Sequence, residues 1–206
     1  AFIDRSLGRN VSYSQALLAS LILARRFRKM ERGRIGIMLP TSSAGGIAII
    51  AALMADRTPV MINYSTGAEK NCLYAQEQCD FQVIVTAKAL LEKIGCKQLP
   101  NMVFIEDILG ALGNLEKALA FVKSNLPISL LKRVVGTSNP DSPAVILFTS
   151  GTTNKPKGVV STHSTIAAQV TTLIDAWRWT SDDVIPLFLP LHHIHGIINI
   201  LSCGLW

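Results

Sequence analysis

Short apolar runs alternate with longer amphipathic stretches along most of this 206-residue chain, and that alternation is what most restricts its fold. Residues 12–29 place Leu17, Leu21 and Ala24 at helical spacing, begin at Ser12, a residue suited to an N-cap, and end in Arg25, Arg26, Arg28 and Lys29, which suit a helix C-terminus. Gly33 releases the chain into an apolar run over 35–39 that Pro40 stops, as in a buried strand. The order then repeats: helix 44–55, strand 59–63, helix 66–79, strand 82–86, helix 87–94, strand 102–105 and helix 113–123. Such an order predicts an α/β fold with mostly parallel sheets flanked by helices. From about residue 128 the pattern becomes strand 142–148, a polar loop, strand 158–161, an apolar helix carrying Ile166, Val170, Leu173 and Trp177, a strand over 183–189 and an apolar run over 197–205. Neither a repeat nor a low-complexity linker interrupts it, so one continuous region is expected, with sub-regions of about 1–127 and 128–206. The chain opens in Phe2-Ile3-Asp4 without Met and stops at Trp206 inside an apolar run, which reads as truncation at both ends.

Charge and cysteine content narrow the function classes. The 20 Lys and Arg against 14 Asp and Glu give a net charge of +6, which favours anionic partners. The basic residues are scattered in short pairs such as Arg25-Arg26 and Lys132-Arg133, without the aromatic and basic stripe of a nucleic-acid surface, so no nucleic-acid partner is expected. Cys72, Cys79, Cys96 and Cys203 form no C-x-x-C pair and have no His at ligand spacing, so neither a disulfide framework nor a zinc site is predicted. The apolar stretches 16–24 and 47–55 are shorter than the roughly 20 residues a bilayer span needs. A cytoplasmic protein is expected, with peripheral membrane contact through the basic helix 12–29 as the alternative; clustering of the basic residues at one end of that helix fits a helix dipole better than a membrane-facing stripe.

One segment carries materials for chemistry. Phe148-Thr149-Ser150-Gly151-Thr152-Thr153-Asn154-Lys155-Pro156-Lys157-Gly158 follows an apolar strand and is rich in hydroxyls, glycine and lysine. Hydroxyl and backbone N–H groups donate to phosphate oxygens, glycines allow close backbone approach, and Lys157 offers a mobile positive charge. The same residue types also make ordinary solvated turns, and composition does not separate the two readings. The Walker A pattern is not met, because Pro156 stands where its second glycine would be.

The run TSGTTNKPKGV resembles the phosphate loop of the adenylate-forming (AMP-binding) superfamily, which includes acyl-CoA synthetases, peptide-synthetase adenylation domains and luciferases. A second segment downstream, Leu189-Pro190-Leu191-His192-His193-Ile194-His195-Gly196, is similar to the part of that family that lines the acyl pocket. The resemblance implies that Thr149, Ser150, Gly151, Thr152 and Thr153 wrap the triphosphate of ATP, carried with Mg, while Lys157 stabilises the departing pyrophosphate. Pro156 and Gly158 would shape the turn. Asn154 stands where the family usually has Gly, and Asn tolerates a left-handed backbone best after Gly. By the same resemblance His193 neighbours the carboxylate and the adenylate. Read from the residues alone, the three clustered histidines could also be a metal site or satisfied core groups; no metal ligand is assigned, and His192 and His195 are given no role.

Residues 35–40 and Asn63-Tyr64-Ser65-Thr66-Gly67-Ala68 are similar to acyl-ACP synthetase and acylglycerophosphoethanolamine acyltransferase proteins, and the later half to medium-chain and malonyl-type CoA ligases. A fatty acid and CoA or acyl-carrier protein are therefore the implied partners. The chain would be part of one large N-terminal domain, lacking the family's ribose-binding Asp, its adenine-contacting segment and the small C-terminal domain with its catalytic Lys.

Overall fold

A strand covered on both faces needs apolar side chains at nearly every position, and the runs around Ile35, Val60, Ile84 and Ile146 supply them. The structure is a computed structural model that describes residues 1–5, 8–135, 138–149 and 155–206. A short antiparallel pair, β1 (Phe2–Asp4) and β2 (Arg9–Val11), precedes helix α1 (Tyr13–Phe27). Then follow β3 (Gly33–Ile37), α2 (Ser43–Met54), β4 (Arg57–Met61), α3 (Ala68–Cys79), β5 (Ile84–Thr86), α4 (Lys88–Ile94) and β6 (Met102–Phe104). Three helices, α5 (Ile105–Gly110), α6 (Asn114–Ser124) and α7 (Ile128–Val135), lead to β7 (Pro143–Thr149), β8 (Lys157–Thr162) and α8 (His163–Trp177). The chain closes with a π-helix, His195–Ser202, and a helical turn, Cys203–Leu205.

The central sheet has six strands in the order β6-β5-β3-β4-β7-β8 and joins the two stretches on either side of residue 128. Its first five strands are parallel, and β8 runs antiparallel to β7 at the edge. Alternation sorts its side chains into two cores. Ile35, Ile37, Met61, Val145 and Leu147 pack with Leu23 and Phe27 of α1 and Ile47 of α2. Met38, Val60, Ile62, Ile84 and Ile146 pack with Cys72, Ala75 and Cys79 of α3 and with Phe81. Gly36 belongs to the second face, where a Cβ would lie 2.6 Å from the Phe81 ring. The result is helix, sheet, helix, as the alternating pattern predicts.

Chain direction opens a crevice in this arrangement. From β3 the chain steps to β4 on one side, then returns past β3 to β5 on the other. Helices α2 and α3 consequently leave the carboxyl ends of β3 and β4 on opposite faces, which is the switch point where open α/β sheets hold ligands.

The opposite, amino edge is where α1 and α2 end, and Arg57 closes both. Its Nε donates to Glu31 O at 2.7 Å, one terminal nitrogen to Ala55 O and Asp56 O at 3.0 and 3.1 Å, and the other to Arg28 O and Met30 O, both at 3.3 Å. These carbonyls lie at or just past the two helix C-termini, where unpaired acceptors and the negative dipole ends collect. The basic end of α1 is also engaged inside the molecule: Arg26 pairs with Glu116, and Arg28 donates to Met54 O and to Val134 O. At the start of α2, the buried Asp4 carboxylate accepts from Ser43 N at 2.7 Å and Ser43 Oγ at 2.6 Å.

One detail departs from the sequence reading. Residues 183–189 form no strand: Pro186 removes a ladder donor, and Asp183 turns back to accept from Thr180 N at 2.6 Å. The apolar run 197–205, to which the sequence assigns no element type, is helical, mostly π. The N-cap at Ser12 is present, with Gln15 N donating to Ser12 Oγ at 3.2 Å. Among the described residues no helix is long and apolar enough to cross a membrane.

Candidate active site

The carboxyl edge gathers the ends of β3, β4 and β7. Thr149, the last residue of β7, pairs directly with Lys157, the first of β8, so the two side chains stand on one face of the hairpin. Both are exposed, as is Lys155. Ser150, Gly151, Thr152, Thr153 and Asn154 lie outside the described residues. The returning end of their connection is fixed from α3: Tyr74 donates its hydroxyl to Pro156 O at 2.8 Å, while its ring meets Phe148 edge-on at 5.9 Å. Sequence reasoning missed Tyr74; a tyrosine on the half-buried face of an otherwise polar helix was the available signal.

The histidine segment lies across the same edge. Thr41, just after β3, donates its hydroxyl to Leu189 O at 3.2 Å, and His193 N donates to Pro190 O at 3.0 Å to close a turn. Glycine makes this fit at two places. A Cβ on Gly196 would sit 2.2 Å from Pro190 O, and one on Gly45 would meet Pro40 O at 2.5 Å and Leu191 at 2.9 Å. Leu191 is thereby buried against α2, and the next side chain, His192, is directed at Tyr64 beyond β4, ring centroids 5.1 Å apart and nearly perpendicular.

The three histidines differ sharply in environment. His192 is 3% exposed, and among the described residues neither of its ring nitrogens has a hydrogen-bond partner. Burial, with the neighbouring His193 adding to it, pushes its pKa down to about 4, so the ring is neutral at pH 7. His193 is exposed, with its ring 4.5 Å from that of His192, and His195 is exposed as well. Among the described residues no three His, Cys, Asp or Glu side chains converge as a metal-ligand set. The structure thus brings Thr149 together with Lys157, and His192 together with both His193 and Tyr64. The sequence reading gave no role to His192 or to Tyr64 individually.

The family model for AMP-binding enzymes matches residues 1–206. The chain belongs to the AMP-binding enzyme family. A curated relative, the probable CoA ligase CCL8 of Humulus lupulus, is 32% identical over 173 residues, 82% of this chain and 26% of its own length. Human mitochondrial malonate–CoA ligase (Homo sapiens) is 60% identical over 63 residues, 31% of this chain and 11% of the ligase. Among solved structures, apo MatB from Rhodopseudomonas palustris superposes with a TM-score of 0.71 at 19% identity, over 97% of this chain and 38% of that one. MenE from Bacillus subtilis, an O-succinylbenzoate CoA synthetase in complex with ATP and magnesium, gives 0.70 at 16% identity over 96% and 49%. These structural likenesses establish the fold. The AMP-binding match covers the β7–β8 hairpin and the histidine segment together, and the chain spans 26% or less of the lengths of these two curated relatives.

Proposed function

We propose that the full-length protein activates a carboxylic acid with ATP as an acyl-adenylate and passes the acyl group to CoA. The observation that carries this reading is the Thr149–Lys157 pair, which holds a hydroxyl-, glycine- and lysine-rich connection at the carboxyl edge of a doubly wound sheet. An acid carboxylate oxygen would attack the α-phosphorus of ATP, forming one P–O bond while the bond to pyrophosphate breaks. The CoA sulfur would then take the acyl carbon and release AMP. Lys157 is assigned to the charge that grows on pyrophosphate, and Thr149, Ser150, Gly151, Thr152 and Thr153 to the phosphate oxygens. Magnesium, carried on the triphosphate, supplies charge neutralisation. His193, exposed at the same edge, is assigned to the carboxylate end of the acid.

The local identity with malonate–CoA ligase makes a short dicarboxylic acid the first substrate to test, ahead of the fatty acid implied by the early segments, and CoA the first thiol, ahead of acyl-carrier protein. Because the chain covers only part of each relative, the activity is assigned to the full-length protein, and the 206-residue chain alone is expected to be inactive.

Acid-dependent exchange of labelled pyrophosphate into ATP, run with malonate, medium-chain and long-chain acids, tests the reading. Exchange with at least one acid is expected, and ATP binding without exchange would reduce the protein to a nucleotide-holding module. Lys157→Ala should slow single-turnover acyl-AMP formation ten- to a few-hundredfold, since a hydrogen bond to a charged group contributes roughly 1.5–3 kcal/mol. Its melting temperature should not move, because the side chain is exposed. A wild-type rate from Lys157→Ala would remove that residue from the site.

A further inference from the structure

His192 is retained at a cost that its packing does not explain. A neutral imidazole carries one N–H and one lone pair, and leaving both without partners in a buried position is unfavourable by roughly 1–3 kcal/mol. Phenylalanine would fill the same space, keep the edge-on contact with Tyr64, and leave nothing unpaired. The ring nevertheless sits 3% exposed with both nitrogens unpartnered among the described residues, in the segment that crosses the carboxyl edge, and beside the exposed ring of His193. Buried polar atoms without partners are rare in folded proteins, and a water, an ion or a functional role at the site accounts for most of them.

We infer that His192 is a ligand-binding residue of this edge, whose ring N–H, uncovered when the neighbouring His193 ring turns aside, is donated to an anionic oxygen of the bound ligand. This rests on the carboxyl edge being the ligand site. A neutral ring suits the role, because it donates through one nitrogen without setting a buried positive charge next to His193. The anionic oxygen belongs either to a phosphate of ATP or to the carboxylate of the acid, and both arms are measurable.

The test compares His192→Phe, which keeps the ring and removes both nitrogens, with His192→Gln, which keeps an N–H donor, in the full-length protein. His192→Phe should fold with an equal or higher melting temperature and lose ten- to a hundredfold in ligand affinity, and His192→Gln should recover most of that loss. Weakened ATP binding in calorimetry without acid identifies the phosphate. Unchanged ATP binding with a raised acid KM and near-normal kcat identifies the carboxylate. Wild-type ATP affinity and acid KM in His192→Phe overturn the inference. Should either variant fail to fold, the 15N resonances of the His192 ring in labelled wild-type protein decide: a shift on saturation with ATP or with acid supports the inference, and no shift with either overturns it. A protein that binds ATP but exchanges no pyrophosphate would sink the ligase reading and leave this comparison intact.

Discussion

At the scale of single residues, the burial of His192 makes the protein's stability depend on pH. Its folded-state pKa of about 4 lies below the ordinary histidine value, so between roughly pH 6.5 and 4 the unfolded chain binds the proton more readily than the folded one. Stability is therefore fully present above about pH 6.5 and falls as pH drops through that window, by on the order of 2–3 kcal/mol at its lower end. The groups facing the ring are His193, whose charge adds to the effect, and Tyr64. Denaturant titrations at pH 7.5, 6 and 4.5 should show this loss in the wild type and a flatter profile in His192→Phe; parallel profiles would mean that His192 titrates normally. Thr149 and Lys157 were singled out by the resemblance of TSGTTNKPKGV to a family phosphate loop, since the hydroxyls, glycines and lysines alone fit a solvated turn equally well. His192 was not, since adjacent histidines look alike in a sequence. Only the glycines at 45 and 196, by bringing Leu191 against α2, determine which of them is driven inside.

Among the elements, the ends of α1 and α2 depend on Arg57. One 8%-exposed guanidinium satisfies five carbonyls drawn from both helix termini and anchors the start of β4 between them. Arg57→Met should keep the aliphatic stem and strand the carbonyls, costing about 3 kcal/mol or more. For a chain of this length that corresponds to a melting temperature lower by about 10 °C, which differential scanning calorimetry reads directly. A shift under 2 °C would show that solvent satisfies those carbonyls instead. Helix and strand types were legible from the sequence pattern for α1 to α4, α6, α8 and β3 to β8, because tertiary packing there agrees with the local pattern. Legibility failed over 183–189, where β-branched and aromatic residues resemble a strand while Pro186 forbids the ladder. It failed again for the π-helix, whose apolar run carries no period that separates it from a strand.

For the whole molecule, parallel order followed from strand and helix alternation, but the return of β8 did not, although a connection shorter than about a dozen residues allows only antiparallel pairing. Under the proposed function that hairpin separates folding from chemistry. Thr149 and Lys157, which flank positions 150–156 in the sequence, pair with each other. Lengthening the connection by two residues should change closure entropy by only about 0.2 kcal/mol. Such an insertion is expected to leave the melting temperature unaltered while abolishing pyrophosphate exchange, and a parallel loss of both would show that the connection supports the fold. Chaperones and proteases inspect exposed apolar surface, not catalytic competence. Inactive variants of this stretch should therefore escape cellular quality control and accumulate at normal abundance, silent in any screen that scores expression.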